Sequence, residues 1–199
     1  MDESPEEARD RDWALVRRHV EGDRDAFRQL YENYRDKVYA SALRIVGEAA
    51  LAEDLAQEIF VKIHEELRGF KFESKFSTWL YRIAVNHAIN KANEIERRGR
   101  IRERIAREQP PPPDDPPHLR AADRFVDERV LGAVAGLSTK LRAIIALRYL
   151  EGLSYGEIAD VLEVSIGTVK SRLFLAHETL RPMIQDLYEE KEEKTEGKP

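Results

Sequence analysis

The chain has no cysteine among its 199 residues, which excludes a disulfide scaffold, a thiolate metal site and a cysteine nucleophile. No apolar run approaches the roughly 18 residues that read as a membrane span. The N-terminal MDESPEEARD is acidic and lacks the apolar core of a signal peptide. A cytoplasmic protein without membrane insertion is therefore expected. Strand-like alternation is scarce, and no glycine-rich phosphate loop follows a strand. His19, His64, His87, His118 and His177 are scattered, with no spacing suited to a metal site or a catalytic triad. Neither metal nor cofactor is expected, and catalysis fits the chain poorly.

What is present is charge, unevenly placed. The formal net charge of −5 argues weakly against a nucleic-acid binder, but its distribution reverses that argument. Residues 1–11 hold five acids and two arginines, and residues 183–199 hold six acids and three lysines. Between them, residues 74–107 hold nine Lys/Arg against three Glu. The acidic ends conceal a basic middle.

Six of the nine prolines fall in EQPPPPDDPPH, residues 108–118. Proline fixes φ and removes a backbone donor, so this run reads as an extended linker between two units. Before it, Phe27, Leu30, Tyr31, Tyr34, Val38, Tyr39, Ala42 and Ile45 recur at helical spacing, as do Leu51, Leu55, Ile59, Ile63 and Leu67. After it, Phe125, Val126, Val130, Leu131, Val134 and Leu137 predict another helix. The expected fold is all-α: two small helical domains, residues 12–98 and 122–182, joined by a linker over 99–121 that is basic and then Pro-rich and acidic. Residues 183–199 form an acidic tail, and its stretch 186–199 is expected to be solvated and disordered, with a regulatory extension as the alternative.

The second unit holds the clearest local pattern. In LSYGEIADVLEVSIGTVKSRL, Ser154 and Glu157 have capping-box spacing, and Ile158, Ala159 and Leu162 supply a buried side. LEVS turns the chain, and Ser165 caps a second helix whose Val169, Leu173, Ala176 and Leu180 face inward. This is helix-turn-helix spacing, in which the second helix enters the major groove by its N-terminal end. Two well-capped core helices are the plain alternative. Lys170, Ser171 and Arg172 on an accessible face favour DNA.

A second candidate surface lies upstream. FKFESKFSTWLY, residues 70–81, interleaves Phe70, Phe72, Phe76, Trp79 and Tyr81 with lysines. On the following helix, Trp79, Arg82, Asn86, Asn90, Asn93 and Arg97 fall within about 80° of one another. Leu80, Ala84, Ala88 and Ile95 lie opposite. Amides can bond base edges, arginine can meet phosphate, and tryptophan can stack on an unpaired base. A solvated face is the better reading of any one of these residues; the whole stripe points to nucleic acid.

AEDLAQEIFVKIHEEL followed by FSTWLYRIAVNHAIN resembles region two of bacterial sigma factors, and LRAIIALRYLEGLSYGEIADVLEVSIGTVKSRL resembles region four. With no room for intervening domains, the chain resembles the extracytoplasmic-function (ECF) group. The resemblance implies a subunit that docks on core RNA polymerase through Asp54, Gln57 and Glu58. It implies recognition and opening of the downstream promoter element through Phe72, Lys75, Ser77, Trp79, Tyr81, Arg82, Asn86 and Asn90. It further implies reading of the duplex upstream element through Ser165, Thr168, Lys170, Ser171, Arg172 and Phe174. The implied partners are core RNA polymerase, promoter DNA in duplex and locally single-stranded form, and an anti-sigma factor. Glu163 departs from the family pattern, standing where glycine is usual in the turn. A stand-alone helix-turn-helix regulator is the competing reading; it leaves the first unit without a role.

Overall fold

The computed structural model describes residues 5–106 and 128–196. The helices are α1 (Pro5–Val20), α2 (Arg24–Val46), α3 (Ala49–Glu66), α4 (Phe76–Ala106), α5 (Glu128–Ala135), α6 (Thr139–Tyr149), α7 (Tyr155–Leu162) and α8 (Ile166–Glu196), with a 3₁₀ turn at Leu67–Gly69. Among the described residues there is no strand, as the all-α reading expects. The proline run at 108–118 lies outside them.

The central helix, α2, starts where Asp23 accepts the amides of Asp25 (2.9 Å) and Ala26 (3.3 Å). Arg18 clasps the other Asp23 oxygen at 2.7 Å. The helix stops at Gly47, whose φ of +79° a side chain would resist. In between, Ala26, Leu30, Tyr34, Val38, Ala42 and Ile45 are buried against α1, α3 and α4. Each large aliphatic side chain buried here contributes about 1.5–3 kcal/mol. From α3, Leu55, Ile59 and Ile63 enter the same core; from α4, Phe76, Leu80, Ala84, Val85 and Ala88 do so. Ile95, expected on that inward side, is 44% exposed because α4 runs past the end of the bundle. The helix continues through Ala106, beyond the expected boundary at residue 98.

In the second unit, α7, a short turn and α8 form the helix-turn-helix. Both halves of the expected capping box are present: Glu157 N–H donates to Ser154 Oγ at 3.3 Å, and Ser154 N–H donates to Glu157 Oε2 at 2.9 Å. Val169, Leu173, Ala176 and Leu180 are buried, as their spacing predicts. The expectation of a disordered tail is corrected, since α8 extends to Glu196. Its Glu- and Lys-rich sequence is made of good helix formers.

The two units are packed together. α6 lies on α2 and α7 on α4, and Ile144, Leu147, Ile158 and Val161 belong to the same buried cluster as Leu30 and Leu80. A smaller cluster of Ala133, Leu137, Leu141, Ala176 and Leu180 ties α5 to α8.

Glu163 ends α7 in the left-handed region, at φ +53° and ψ +46°. A side chain there is strained relative to glycine. Glu163→Gly is expected to stabilise the fold by about 0.5–1 kcal/mol. Urea denaturation monitored by far-UV circular dichroism checks this; an unchanged or lower midpoint contradicts it.

Candidate nucleic-acid interface

The loop over residues 70–75 and the start of α4 form an aromatic cluster. Phe70 and Phe76 are buried; Phe72 and Trp79 are half-buried. Ring centroids of Phe70 lie 4.9 Å from Phe72 and 5.5 Å from Trp79, and Phe76 is 5.9 Å from Trp79. Two of the five aromatics in this stretch thus keep a partly open face, Phe72 and Trp79. Along α4, Arg82, Asn90, Asn93 and Arg97 are exposed and Asn86 is half-buried, so the stripe points away from the first unit's core.

The second unit covers part of this stripe. Tyr81 is only 2% exposed, and its hydroxyl donates to Glu151, in the turn between α6 and α7. Burial and the adjacent Glu151 carboxylate push the Tyr81 phenol well above its ordinary value. Glu151 also accepts the buried Ser41 hydroxyl of α2 at 2.8 Å. Lys75 Nζ donates to Glu157 at 2.8 Å, and the Asn86 amide to the Val161 carbonyl at 3.4 Å. Lys75, Ser77 and Tyr81 line a cleft of about 250 Å³ between the units. Thr139 donates to Glu96 at 2.7 Å further along α4. Sequence reasoning missed these cross-unit bonds, because nothing in local spacing pairs α4 with α7.

At the start of α8, the Ser165 hydroxyl accepts the Thr168 amide at 3.1 Å and meets the Thr168 hydroxyl at 2.9 Å. The expected N-cap is present. Lys170 and Ser171 are exposed, Thr168 and Arg172 are half-buried, and Phe174 is 67% exposed. Leu175 is also exposed, and His177 pairs with the Tyr149 hydroxyl at 2.6 Å. The helix end therefore presents hydroxyls, cations and one large apolar ring on a single accessible side.

Asp54, Gln57 and Glu58 are exposed on α3, opposite the buried Leu55 and Ile59. Glu58 is bonded to His87 of α4 at 2.8 Å, a contact the sequence pattern did not suggest. His19 and His64, far apart in sequence, meet with ring centroids 5.1 Å apart beside Phe27. Burial, then the neighbouring His64 and Arg68, lowers the His19 pKa. Among the described residues no group of three or more His, Asp or Glu gathers in metal-binding geometry. No helix among them is long and apolar enough to cross a membrane.

Comparison with known proteins gives this arrangement a class. Residues 30–101 match the model of Sigma-70 region 2, and residues 127–180 match that of Sigma-70, region 4. A region-2 unit followed by a region-4 helix-turn-helix defines a sigma factor. The ECF RNA polymerase sigma-E factor of Haemophilus influenzae is 39% identical over 184 residues, covering 88% of this chain and 96% of that one. The chain belongs to the ECF family of RNA polymerase sigma factors. Its fold is shared by CnrH, solved in complex with the cytosolic domain of CnrY (TM-score 0.66, 23% identity, 88% of this chain and 98% of that chain). It is shared also by RpoE of Bartonella quintana, solved with the anti-sigma factor NepR (TM-score 0.61, 24% identity, 80% and 96%). Sigma factors are transcription initiation factors and are not enzymes.

Burial pushes the Glu157 carboxyl up, but bonds from Lys75 and from Ser154 outweigh it and hold the group below its ordinary 4.5. A depressed folded pKa stabilises the fold above the unfolded value, and that contribution is lost as pH falls through the folded value. The stability advantage of the native chain over Glu157→Gln is therefore expected to be constant above about pH 5 and to shrink below pH 4.5. Urea midpoints at a series of pH values measure it; an advantage that grew on acidification contradicts the assignment.

Proposed function

We propose that this chain binds core RNA polymerase, directs it to specific promoters and assists their opening, leaving nucleotide chemistry to the polymerase. One observation carries the reading. A single chain combines a region-2 unit, whose α4 exposes Arg82, Asn90, Asn93 and Arg97 beside the half-buried Trp79, with a Ser165-capped helix-turn-helix. A surface suited to unpaired strand and a helix suited to duplex are needed together only where one factor both finds and opens DNA.

In this reading Asp54, Gln57 and Glu58 on α3 form the polymerase contact, their exposure and acidity suiting a basic or polar partner. Trp79 and Phe72 stack on bases that leave the duplex. Arg82, Asn86 and Asn90 follow the strand, with Lys75 and Ser77 at the loop and Tyr81 supporting it from beneath. Ser165, Thr168, Lys170, Ser171 and Arg172 engage the upstream element, and Phe174 offers an apolar surface to thymine methyls. The working domains are residues 12–98 and 122–182, with 99–121 linking them.

Lys75, Tyr81 and Asn86 are held by Glu157, Glu151 and Val161 of the second unit. Use of the whole downstream surface therefore requires the second unit to leave α4. An anti-sigma partner belongs to the same reading, since RpoE, with which this chain shares its fold, is bound by NepR. A stand-alone regulator would use α7 and α8 but give no role to the region-2 unit.

Trp79→Ala is expected to slow promoter opening by about tenfold or more, the scale of one lost base–aromatic stack, while polymerase binding stays intact. Arg172→Ala is expected to weaken duplex binding at the upstream element and to lower its salt dependence by about one ion. Opening rates with a base-analogue reporter and salt-dependent titrations check the two. Normal opening by Trp79→Ala removes the stacking assignment.

A further inference from the structure

Phe72 has φ of +59°, a left-handed backbone that bulky side chains rarely adopt. It lies in the half-open aromatic loop, so something must hold the loop there. Lys75 at the loop's end is tied to Glu157 of α7, and Phe70 packs on Phe72 from within it. The contacts on Phe72 and Ser74 from outside the loop come from α1, which precedes the region-2 match beginning at residue 30. Arg9, Trp13 and Arg17 are four residues apart and so share one face of that helix. The Trp13 ring meets Phe72 edge-on at 5.8 Å, and its indole N–H donates to the Ser74 carbonyl at 3.3 Å. The Arg17 guanidinium stands 5.2 Å from the centre of the Phe72 ring, and that of Arg9 stands 5.2 Å from the Trp13 ring. Phe72 in turn touches Phe70, and Phe70 touches Trp79. Contacts thus run without a break from α1 to the head of the α4 stripe.

We propose that α1 is a brace for promoter opening, with Trp13 and Arg17 as positioning residues that hold loop 70–75 ready to receive an unpaired base. This rests on the reading that the loop and Trp79 capture such a base. A loop already in its binding shape loses less freedom when a base arrives, so capture and opening are faster. Neither Trp13 nor Arg17 needs to touch DNA for this. Trp13 fixes the loop backbone through Ser74, and Arg17 fixes the Phe72 ring through its face.

The test uses the full chain assembled with core polymerase, on a promoter selected from random DNA by the native holoenzyme and carrying 2-aminopurine in its melted stretch. Trp13→Phe keeps a ring against Phe72 but removes the N–H; Arg17→Met keeps bulk but removes the cation. Each is expected to slow opening about three- to tenfold, the scale of one hydrogen bond or one cation–π contact, with core affinity unchanged. Amide hydrogen exchange at residues 71–75 should quicken in both, and Arg17→Lys should restore both readouts most of the way. Faster exchange with normal opening overturns the brace, as does unchanged exchange. If Phe72→Ala and Trp79→Ala impair opening while the α1 variants do not, the brace fails and base capture stands. If all four open normally, base capture itself fails, and the brace with it. Because Arg17 is exposed, its variants keep the test informative should Trp13→Phe fold poorly.

Discussion

Burial of one face of α4 sets the terms for everything else in this protein. Leu80, Ala84, Val85 and Ala88 are sealed against the first unit's core, and a helix with one face committed has no freedom in where its other faces point. Trp79, Arg82, Asn86 and Asn90 are therefore outward together, in one row. The same commitment sets where α7 can lie, since it packs on α4 with polar contacts from Asn86 and Lys75, while Tyr81 holds Glu151 in the turn before it. A bulky or polar residue at Ala84 or Ala88 would disturb the core, the stripe and the seat of the second unit at once.

The second unit is seated on that helix by a mixed surface. Ile144, Leu147, Ile158 and Val161 contribute apolar burial, while Glu151 gathers two buried hydroxyls, from Ser41 and Tyr81. Apolar contact gives the packing its strength, and the polar contacts give it register, since a buried hydroxyl without an acceptor is costly. The outcome is asymmetric. The candidate polymerase-binding residues on α3 and the tip of α8 stay open to solvent, while Lys75, Tyr81 and Asn86 are occupied. In a sigma factor, that order of access favours docking before opening.

Much of this was legible in the sequence, wherever a local rule decides. The Ser154–Glu157 box, the Ser165 cap, the buried Val169–Leu180 stripe and the outward Trp79–Arg97 row are all consequences of helical period and capping chemistry. Glu163 was visible as a misfit for its turn, and the turn keeps the left-handed geometry at the cost of strain. What stayed hidden is long-range. Tyr81 reads as one more aromatic of the 70–81 stretch, and local spacing says nothing of the acceptor its hydroxyl finds, Glu151, in a turn 70 residues away. Trp13 belongs to no motif in the sequence, and its indole nevertheless lies on Ser74, 61 positions on. The acidic tail was misjudged because composition suggested solvation, while its Glu and Lys are also strong helix formers.

The most direct measurement exploits the missing cysteines. Glu32→Cys on α2 and Glu178→Cys on α8, both at exposed positions, would carry the only thiols in the chain and so a clean donor–acceptor dye pair. Energy transfer is then followed as core RNA polymerase is titrated in. The account predicts a saturable one-to-one fall in transfer as the second unit leaves α4. Transfer that stays unchanged while polymerase binds would contradict the opening step, and absence of any binding would contradict the functional reading as a whole.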